Sequence, residues 1–167
     1  MSRYTDNDEF RELRAWELGI YLDAVDEHGY MIIGFVPGAV PTPLFHTVGL
    51  STQDEYGYEL AISGLPNELG PPLLNLLVGV IKERGIVPTE GLPVELDCLK
   101  PGTALRLHAA DPEGPFEKIS QYTGLPSPVW QAVWPDIAGR YPGDPDCSLT
   151  LVDQADLALP GDSSPSP

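Results

Sequence analysis

The segment Val129–Pro142, which reads V-W-Q-A-V-W-P-D-I-A-G-R-Y-P, constrains the fold more than any other part of this chain. In its first six residues both alternating sets of side chains are bulky or apolar, so a strand here presents such groups on both faces. We therefore expect this strand to lie inside a sheet. Pro135 has no amide hydrogen to donate to a neighbouring strand, so the strand must end before it. Asp136, Gly139 and Pro142 then predict a turn.

The composition is that of a globular protein with many turns. Hydrophobic residues make up 42 % and charged residues 20 % of the chain, and 17 glycines with 19 prolines predict short elements. A length of 167 residues suits one domain with a two-layer core. We expect a single domain over residues 8–159. A flexible N-terminus at 1–7 should precede it, and a disordered acidic tail rich in proline and serine at 160–167 should follow it.

The net charge restricts the kinds of partner. The chain carries 25 acidic and 9 basic residues, which gives a formal charge of −16. Such a surface repels nucleic-acid phosphates and anionic lipids, so we expect neither nucleic acid nor a membrane as a partner. The longest apolar run, residues 73–81, is interrupted by Asn75 and is much shorter than the roughly 20 residues that cross a bilayer.

The expected compartment is the cytoplasm. Residues 1–10 contain no apolar core of the kind that a secretory signal needs. Cys98 and Cys147 show no C-x-x-C spacing, and in a reducing compartment we expect both to be free thiols.

The first third of the chain predicts a helix and then a buried strand. Asn7 or Asp8 can cap a helix that runs to about Val25. Five apolar residues at helical spacing predict a stripe that faces the core: Phe10, Leu13, Trp16, Ile20 and Ala24. Residues 30–36 are nearly all apolar and predict a buried strand, after which a proline-rich loop follows at 37–43.

The middle of the chain predicts two hairpins separated by a helix. Residues 44–50 and 58–63 form the first pair of strands, and residues 92–99 and 103–109 form the second. Between the hairpins a helix should begin at Gly70, with Pro71 as its first residue, and should stop at Gly85.

The remaining elements complete the expected fold class. Residues 116–123 predict a short helix that Gly124 closes, and Leu149, Leu151 and Val152 predict an edge strand. Together the elements predict the α+β class, with a mainly antiparallel sheet built from hairpins and flanked by two to three helices.

No motif for nucleotide, serine or metal chemistry is complete. Neither G-x-G-x-x-G nor G-x-x-x-x-G-K-[ST] occurs. Ser63 follows a strand, but A-I-S-G-L lacks the first glycine of G-x-S-x-G. Asp144 and Asp146 form D-x-D, but Leu149 stands where a calcium loop needs glycine, and the three histidines lie in separate segments. We expect no metal site, and the sequence assigns no cofactor.

Two polar residues lie on the predicted strands of the first hairpin. His46 is flanked by apolar residues and is either a neutral imidazole bonded to the backbone or a catalytic group. Glu59 is the only acid in the run Y-E-L-A-I-S. A carboxylate in a central strand must face solvent or be paired, and the sequence indicates Arg140 as the pairing group.

Arg140 is the only basic residue after Lys118, so a buried carboxylate nearby has few other possible partners. We expect Arg140 to pair with Glu59 or Asp136. In this arrangement Glu59, Gln131 and Arg140 converge on one face of the sheet beside Trp134.

Three segments resemble a known family: H-T-V-G-L at 46–50, E-L-A-I-S-G-L-P at 59–66, and Q-x-V-W-P-D-x-x-G-R-Y-P at 131–142. In order and spacing they resemble the bacterial family called domain of unknown function 4262, over about residues 29–145. The resemblance implies no established activity. Where that family carries a His-Pro pair before Glu-Leu, this chain has Gly57 and Tyr58.

We expect the domain to bind a small molecule in a pocket beside the Gln-x-Val-Trp-Pro-Asp turn, and the sequence leaves open whether it is an enzyme. The candidate ligand-binding residues are His46, Thr47, Glu59, Gln131, Trp134, Asp136 and Arg140. Trp134 would form a stacking wall, and Gln131 and Asp136 would make polar contacts.

Two alternatives remain open. The first is a non-enzymatic accessory or regulatory protein that binds a partner protein, with tryptophans as interface anchors. In the second, Trp134-Pro135-Asp136 is simply the end of a core strand whose aspartate stabilises a turn.

Overall fold

The structure, a computed structural model, describes residues 8–35, 42–112, 115–149, 153–154 and 157. For residues 8–14 it describes the backbone alone, which leaves the side chains of Phe10 and Leu13 outside it. The flexible N-terminus predicted at 1–7, the loop residues 37–41 and the disordered tail predicted at 160–167 also lie outside the described residues. So do Leu151 and Val152 of the predicted edge strand, while Leu149 belongs to no strand.

Three α-helices and six strands follow one another along the described chain: α1 (Asp8–His28), β1 (Met31–Phe35), β2 (Leu44–Val48), β3 (Glu59–Ser63), α2 (Gly70–Arg84), β4 (Leu92–Glu95), β5 (Ala104–Ala110), α3 (Glu117–Thr123) and β6 (Val129–Val133). A short 3-10 helix, Leu50–Thr52, lies between β2 and β3. Apart from the edge strand, each predicted element in this part of the chain is present. The largest difference is at β4, which ends at Glu95 and not at Leu99.

The strands form one mixed sheet in the order β1-β2-β3-β6-β5-β4. β1, β2 and β3 pair antiparallel in chain order, and β4 and β5 form an antiparallel hairpin. β6 lies between these two units, antiparallel to β5 and parallel to β3. The α+β class is therefore confirmed. The prediction of a sheet built from hairpins is only partly right, because β3 and β6 pair in parallel across a long stretch of chain.

The interior position of β6 confirms the expectation for the V-W-Q-A-V-W strand. Val129, Gln131, Ala132 and Val133 are buried and Trp130 is half-buried. Both alternating sets of side chains are covered, as they must be when helices pack on both faces of a sheet.

One helix covers one face of the sheet, and two helices cover the other. α2 packs on one face, where its apolar residues meet those of the central strands: Leu74, Leu77 and Ile81 with Leu60, Ile62, Leu105 and Leu107. α1 and α3 pack on the other face, where the buried set is Tyr21, Phe116 and Ile119 with Leu44, Val48, Ala61 and Val129. Burying each leucine, isoleucine or phenylalanine stabilises the fold by roughly 1.5–3 kcal/mol.

α2 begins and ends where the sequence predicted. It starts at Gly70, carries proline in its first turn and is followed by Gly85 as the C-terminal cap. Lys82 and Arg84 lie in the last turn, where the helix dipole favours positive charge. Local residues therefore set the limits of this helix.

The predicted core stripe of α1 is wrong at Trp16 and Ile20, and its Phe10 and Leu13 side chains lie outside the described residues. Trp16 and Ile20 are 65 % and 43 % exposed. Among the α1 side chains that the structure describes, residues 15–28, Tyr21 is the buried one, and its ring stacks on that of Tyr122 from α3 at a centroid distance of 5.0 Å. Glu17 accepts a hydrogen bond of 3.2 Å from the Tyr122 hydroxyl. The spacing misled because α1 carries apolar residues on more than one side, so periodicity alone does not select the buried one.

Candidate functional site

Glu59 is fully buried at the first position of β3. Its carboxylate accepts five hydrogen bonds, from the amides of Gly49, Leu50 and Ser51 at 2.9, 3.2 and 3.1 Å and from the hydroxyls of Thr47 and Ser51 at 2.8 and 2.6 Å. A carboxylate bonded in this way is satisfied without a basic partner. We call Glu59 together with residues 47–52 the Glu59 turn.

Gly49 makes the Glu59 turn possible. Its φ of 112° lies in the left-handed region, and it directs three successive amides toward one point, which is the geometry of an anion-binding nest. A Cβ at this position would lie 3.1 Å from Val25 Cγ2 and 3.3 Å from Tyr30 Cα. The predicted strand over 44–50 therefore stops at Val48, and the chain bends into the 3-10 helix.

His46 is fully buried on β2. Its Nδ1 lies 2.9 Å from the Thr47 carbonyl, which only accepts, so Nδ1 carries the hydrogen and donates it. The ring packs against Phe35 and the edge of Phe116, and Nε2 has no hydrogen-bond partner among the described residues. Burial lowers the pKa of His46, and the bond to Thr47 offsets part of this effect. The geometry is that of the neutral imidazole bonded to the backbone.

Gln131 lies in the middle of β6 and is 3 % exposed. Its Oε1 accepts a hydrogen bond of 3.2 Å from the Leu157 amide, and the Leu157 carbonyl accepts one of 2.7 Å from the Asp111 amide. The Gln131 side chain thus attaches a C-terminal residue to the centre of the sheet.

Trp134 is half-buried directly after β6. Its Nε1 donates to the Ser63 carbonyl at 2.7 Å. The side-chain amide of Gln154, which is 2 % exposed, bonds both the amide and the carbonyl of Trp134 at 2.9 Å. No sequence signal singled out Gln154, although a glutamine can replace a neighbouring strand by pairing a backbone amide and carbonyl at once. The indole is therefore held against the end of β3.

Asp136 is 8 % exposed and forms the centre of a second turn. Its Oδ1 accepts from the amides of Ala138 and Arg140, and its Oδ2 accepts from the amide and hydroxyl of Ser148, at 2.9–3.2 Å. The amides of Ser148 and Arg140, with smaller effects from the Ser148 hydroxyl and the Ala138 amide, lower the pKa of Asp136 to about 2. We call residues 136–148 the Asp136 turn.

Arg140 does not pair with either acid, so that prediction is wrong. Its side chain is exposed and donates to the Asp146 carbonyl at 2.9 Å. Only its backbone meets Asp136, through the Arg140 amide at 2.9 Å and the Arg140 carbonyl at 2.7 Å. Backbone amides supply the bonds that the sequence assigned to a guanidinium.

The predicted residues do not form one shared site. Glu59 begins β3, whereas Trp134 and Asp136 follow the end of β6, and the two strands are parallel. The amino ends of parallel strands lie together, so Glu59 and the Asp136 turn occupy opposite ends of the sheet. Glu59 and Gln131 do share a face, because Ala61 is the register partner of Gln131 and lies two residues after Glu59.

An apolar groove with a volume of about 550 Å³ lies between α2, the β4–β5 connection and the start of the Asp136 turn. Its apolar lining consists of Leu65, Leu69, Pro72, Leu73, Leu76, Leu99, Trp134, Pro135 and Ile137. Ile137, Leu69 and Leu76 are 97 %, 56 % and 49 % exposed. We call this the Trp134 groove.

Of the seven predicted site residues, only Trp134 and Asp136 line the Trp134 groove. His46, Thr47, Glu59 and Gln131 are buried elsewhere. The sequence did not predict the groove's α2 wall, although Leu65 and Leu69, just before the helix, are apolar in a turn that also contains Asn67 and Glu68. Apolar residues in such a turn are the signal that was available.

Within the described part of the chain, no three His, Cys, Asp or Glu side chains are arranged so that they could hold a metal ion. Cys98 and Cys147 are free thiols, and Cys98 is the more exposed. In the same residues, no helix has both the length and the apolar character needed to span a bilayer.

Comparison with known proteins yields one finding. Neither the curated proteins nor the solved structures contain a match to this chain. The family described as "Domain of unknown function (DUF4262)" matches residues 24–148, which cover β1 to β6, the Glu59 turn and the Asp136 turn. This match extends over most of the chain, and the protein therefore belongs to the DUF4262 family.

Proposed function

We propose that this protein binds a small apolar molecule in the Trp134 groove. The observation that carries the proposal is the combination of the groove's size and its lining. A volume of about 550 Å³ falls within the roughly 300–1,000 Å³ of ligand sites, which are lined mainly by apolar and aromatic side chains. A ligand that covers the exposed leucines and Ile137 would gain about 25 cal/mol for each Å² of apolar surface removed from water.

The wall formed by Trp134 is already rigid, which supports the proposal. Three hydrogen bonds of 2.7–2.9 Å hold its indole and backbone, and four more fix the Asp136 carboxylate in the adjoining turn. A ligand would therefore lose little affinity to ordering this side of the groove.

A second hollow, of about 650 Å³, lies on the other side of the α2 N-terminus, beside Phe35, Pro43 and Phe45. Its described lining also includes Ile32, Pro66 and Pro71. We place no function there.

The test is a titration with N-phenyl-1-naphthylamine, a neutral probe that fluoresces when it enters an apolar site. We expect saturable binding to the wild type at one site. Replacing Leu76 and Ile137 by serine removes two exposed groove side chains and should weaken binding about tenfold. Because both side chains are exposed, the double variant should melt close to the wild-type temperature.

The matched control is the double variant Val87→Ser, Leu125→Ser. Val87 and Leu125 are 76 % and 73 % exposed and do not line the groove. This variant should bind the probe like the wild type. An equal loss in both double variants would mean that the probe reports general surface hydrophobicity, and the proposal would then be wrong.

A second candidate function, docking of a partner protein, is favoured by α1. Four large apolar side chains on this helix are 42–65 % exposed: Trp16, Leu18, Ile20 and Leu22. Exposed tryptophans commonly anchor protein interfaces. We rank this function second because a helix surface is convex, whereas the Trp134 groove is concave.

Photo-crosslinking tests the partner hypothesis. p-Benzoylphenylalanine in place of Trp16 should give a covalent adduct of a single mass in cells, and Ile20→Ser should abolish that adduct. No adduct, or an adduct that survives Ile20→Ser, would count against docking through α1.

A further inference from the structure

We infer that the ligand of the Trp134 groove is an amphipathic molecule with an apolar body and a carboxylate-like anionic head, which Lys100 and Thr103 bind. This inference rests on the proposed function and adds the chemical class of the ligand. It follows from the polar atoms around the groove that remain able to bind a ligand.

Two polar groups in the groove wall, the Trp134 indole N–H and the Asp136 carboxylate, are already occupied. The Trp134 Nε1 donates to Ser63. A carboxylate offers about four lone-pair positions, and each Asp136 oxygen already accepts two hydrogen bonds. The Asp136 carboxylate is therefore a poor acceptor for a cationic or hydroxyl head group, even though it lines the groove.

The N-terminus of α2 borders the groove but has no amide left for an anion. Pro71 and Pro72 have no amide hydrogen. The Gly70 amide donates to the Pro66 carbonyl at 2.9 Å, and the Leu73 amide donates to the Leu69 carbonyl at 3.0 Å. The usual anion site at the start of a helix is thus closed here.

Lys100 and Thr103 remain available on the β4–β5 connection. One tight turn holds both, since the Thr103 amide donates to the Lys100 carbonyl at 2.9 Å, and both residues line the groove. Within the described residues, neither the Lys100 ammonium nor the Thr103 hydroxyl makes an ion pair or hydrogen bond. An ammonium with three donors beside a hydroxyl matches an anionic oxygen acceptor.

The acidic surface bears on where such a ligand comes from. A formal charge of −16 repels an anionic bilayer but acts only weakly beyond the Debye length of about 8 Å at physiological salt. A free monomeric amphipathic molecule carries a single negative charge and is repelled weakly, whereas an anionic membrane carries many charges and is repelled strongly. We therefore assign the ligand to the free form. Its apolar body would supply most of the affinity, and its anionic head would supply the selectivity.

The experiment compares three amphipathic molecules that share a ten-carbon chain and differ in head group: decanoate, 1-decanol and decyltrimethylammonium. We measure how well each molecule displaces N-phenyl-1-naphthylamine from the wild type, from Lys100→Gln and from a control, Lys82→Gln. Lys82 is an exposed α2 residue that pairs with Glu55 at 3.5 Å and does not line the groove. In the wild type we expect decanoate to bind about fivefold more tightly than decanol, with the cation weakest.

Lys100→Gln should remove the preference of decanoate over decanol, while Lys82→Gln should retain it. Cys98 lines the groove and Cys147 does not, so decanoate should slow alkylation of Cys98 by N-ethylmaleimide and leave that of Cys147 unchanged.

Equal binding of decanoate and decanol, or a preference that survives Lys100→Gln, would overturn the anionic head and leave the proposed apolar site standing. Failure of the probe and of all three molecules to bind would overturn both. Binding of decanoate without protection of Cys98 would place the site elsewhere, and binding to phosphatidylglycerol vesicles but not to decanoate would overturn the free ligand.

Discussion

The Glu59 turn and the Asp136 turn use the same chemistry at opposite ends of the sheet. In each, a carboxylate gathers backbone amides and a serine hydroxyl from a turn that contains a glycine with positive φ, Gly49 or Gly139. Neither carboxylate forms an ion pair with a basic side chain among the described residues. In a chain with few basic residues, backbone amides are an abundant substitute.

The two turns differ in what surrounds them. Glu59 is fully buried and accepts five bonds, and its turn packs through Gly49 against Val25 of α1 and against Gly29 and Tyr30. Asp136 accepts four bonds near the surface, and its turn leaves Ile137 97 % exposed beside the groove. The Glu59 turn closes the core, and the Asp136 turn forms part of the groove wall at the surface. Equivalent substitutions in the two turns should therefore have unequal effects.

Glu59→Gln should have the largest effect. Glutamine keeps the size of the side chain, but its NH₂ group faces donors. The backbone amides can only donate, and the hydroxyls would have to rotate in order to accept. Breaking a fully buried network of bonds to a charged group should lower the free energy of unfolding by about 4 kcal/mol, measured by urea denaturation. Glu95→Gln, on the exposed side of β4, should leave it within about 0.5 kcal/mol. A small effect of Glu59→Gln would show that the turn does not depend on this carboxylate.

Gly49 and Gly139 should tolerate a Cβ to different degrees. Gly49→Ala combines a strained backbone with a Cβ only 3.1 Å from Val25, and it should cost about 3 kcal/mol. Gly139 has a φ of 84° with no atom near its missing Cβ, so Gly139→Ala should cost only the backbone term, about 1 kcal/mol. Equal losses in thermal or urea unfolding would mean that crowding around the Glu59 turn contributes nothing.

Asp136→Asn should have a smaller effect than Glu59→Gln, and that effect should depend on pH. The pKa of Asp136 is lowered from 3.8 to about 2 in the folded protein. A lowered carboxyl pKa contributes stability that is present above pH 3.8 and is lost as the pH falls through 2. The urea midpoint of Asp136→Asn should therefore lie below that of the wild type at pH 6, and the two should approach each other near pH 2. A difference that is constant with pH would contradict an ionised, hydrogen-bonded Asp136.

The sequence was sufficient where local residues decide the structure. Pro71 and Gly85 gave the limits of α2, and alternation followed by Pro135 gave β6 and its interior position. The parallel pairing of β3 and β6 was not predictable in the same way, because it joins segments far apart in the chain and no turn residue encodes it.

The partners of the two acids were missed for a different reason. Side-chain charges can be counted in a sequence, and the count pointed to Arg140. Backbone amides belong to every residue, and their direction depends on the fold. The available signal was Gly49, because a glycine that interrupts an apolar strand often marks a bend at which amides converge.

The smallest expected effect separates the two serines that bond the acids. Ser51 donates to Glu59 at 2.6 Å from a half-buried position, whereas Ser148 donates to Asp136 at 3.2 Å from an exposed one. Ser51→Ala leaves a buried carboxylate one donor short where water has little access, and it should lower the free energy of unfolding by about 1.5 kcal/mol. Ser148→Ala keeps the Ser148 amide bond at 2.9 Å, and water can replace the hydroxyl, so its urea midpoint should match the wild type within error. If Ser148→Ala were the more damaging of the two, the Asp136 turn would be the one that the fold depends on, and the ranking of the two ends of the sheet would have to be reversed.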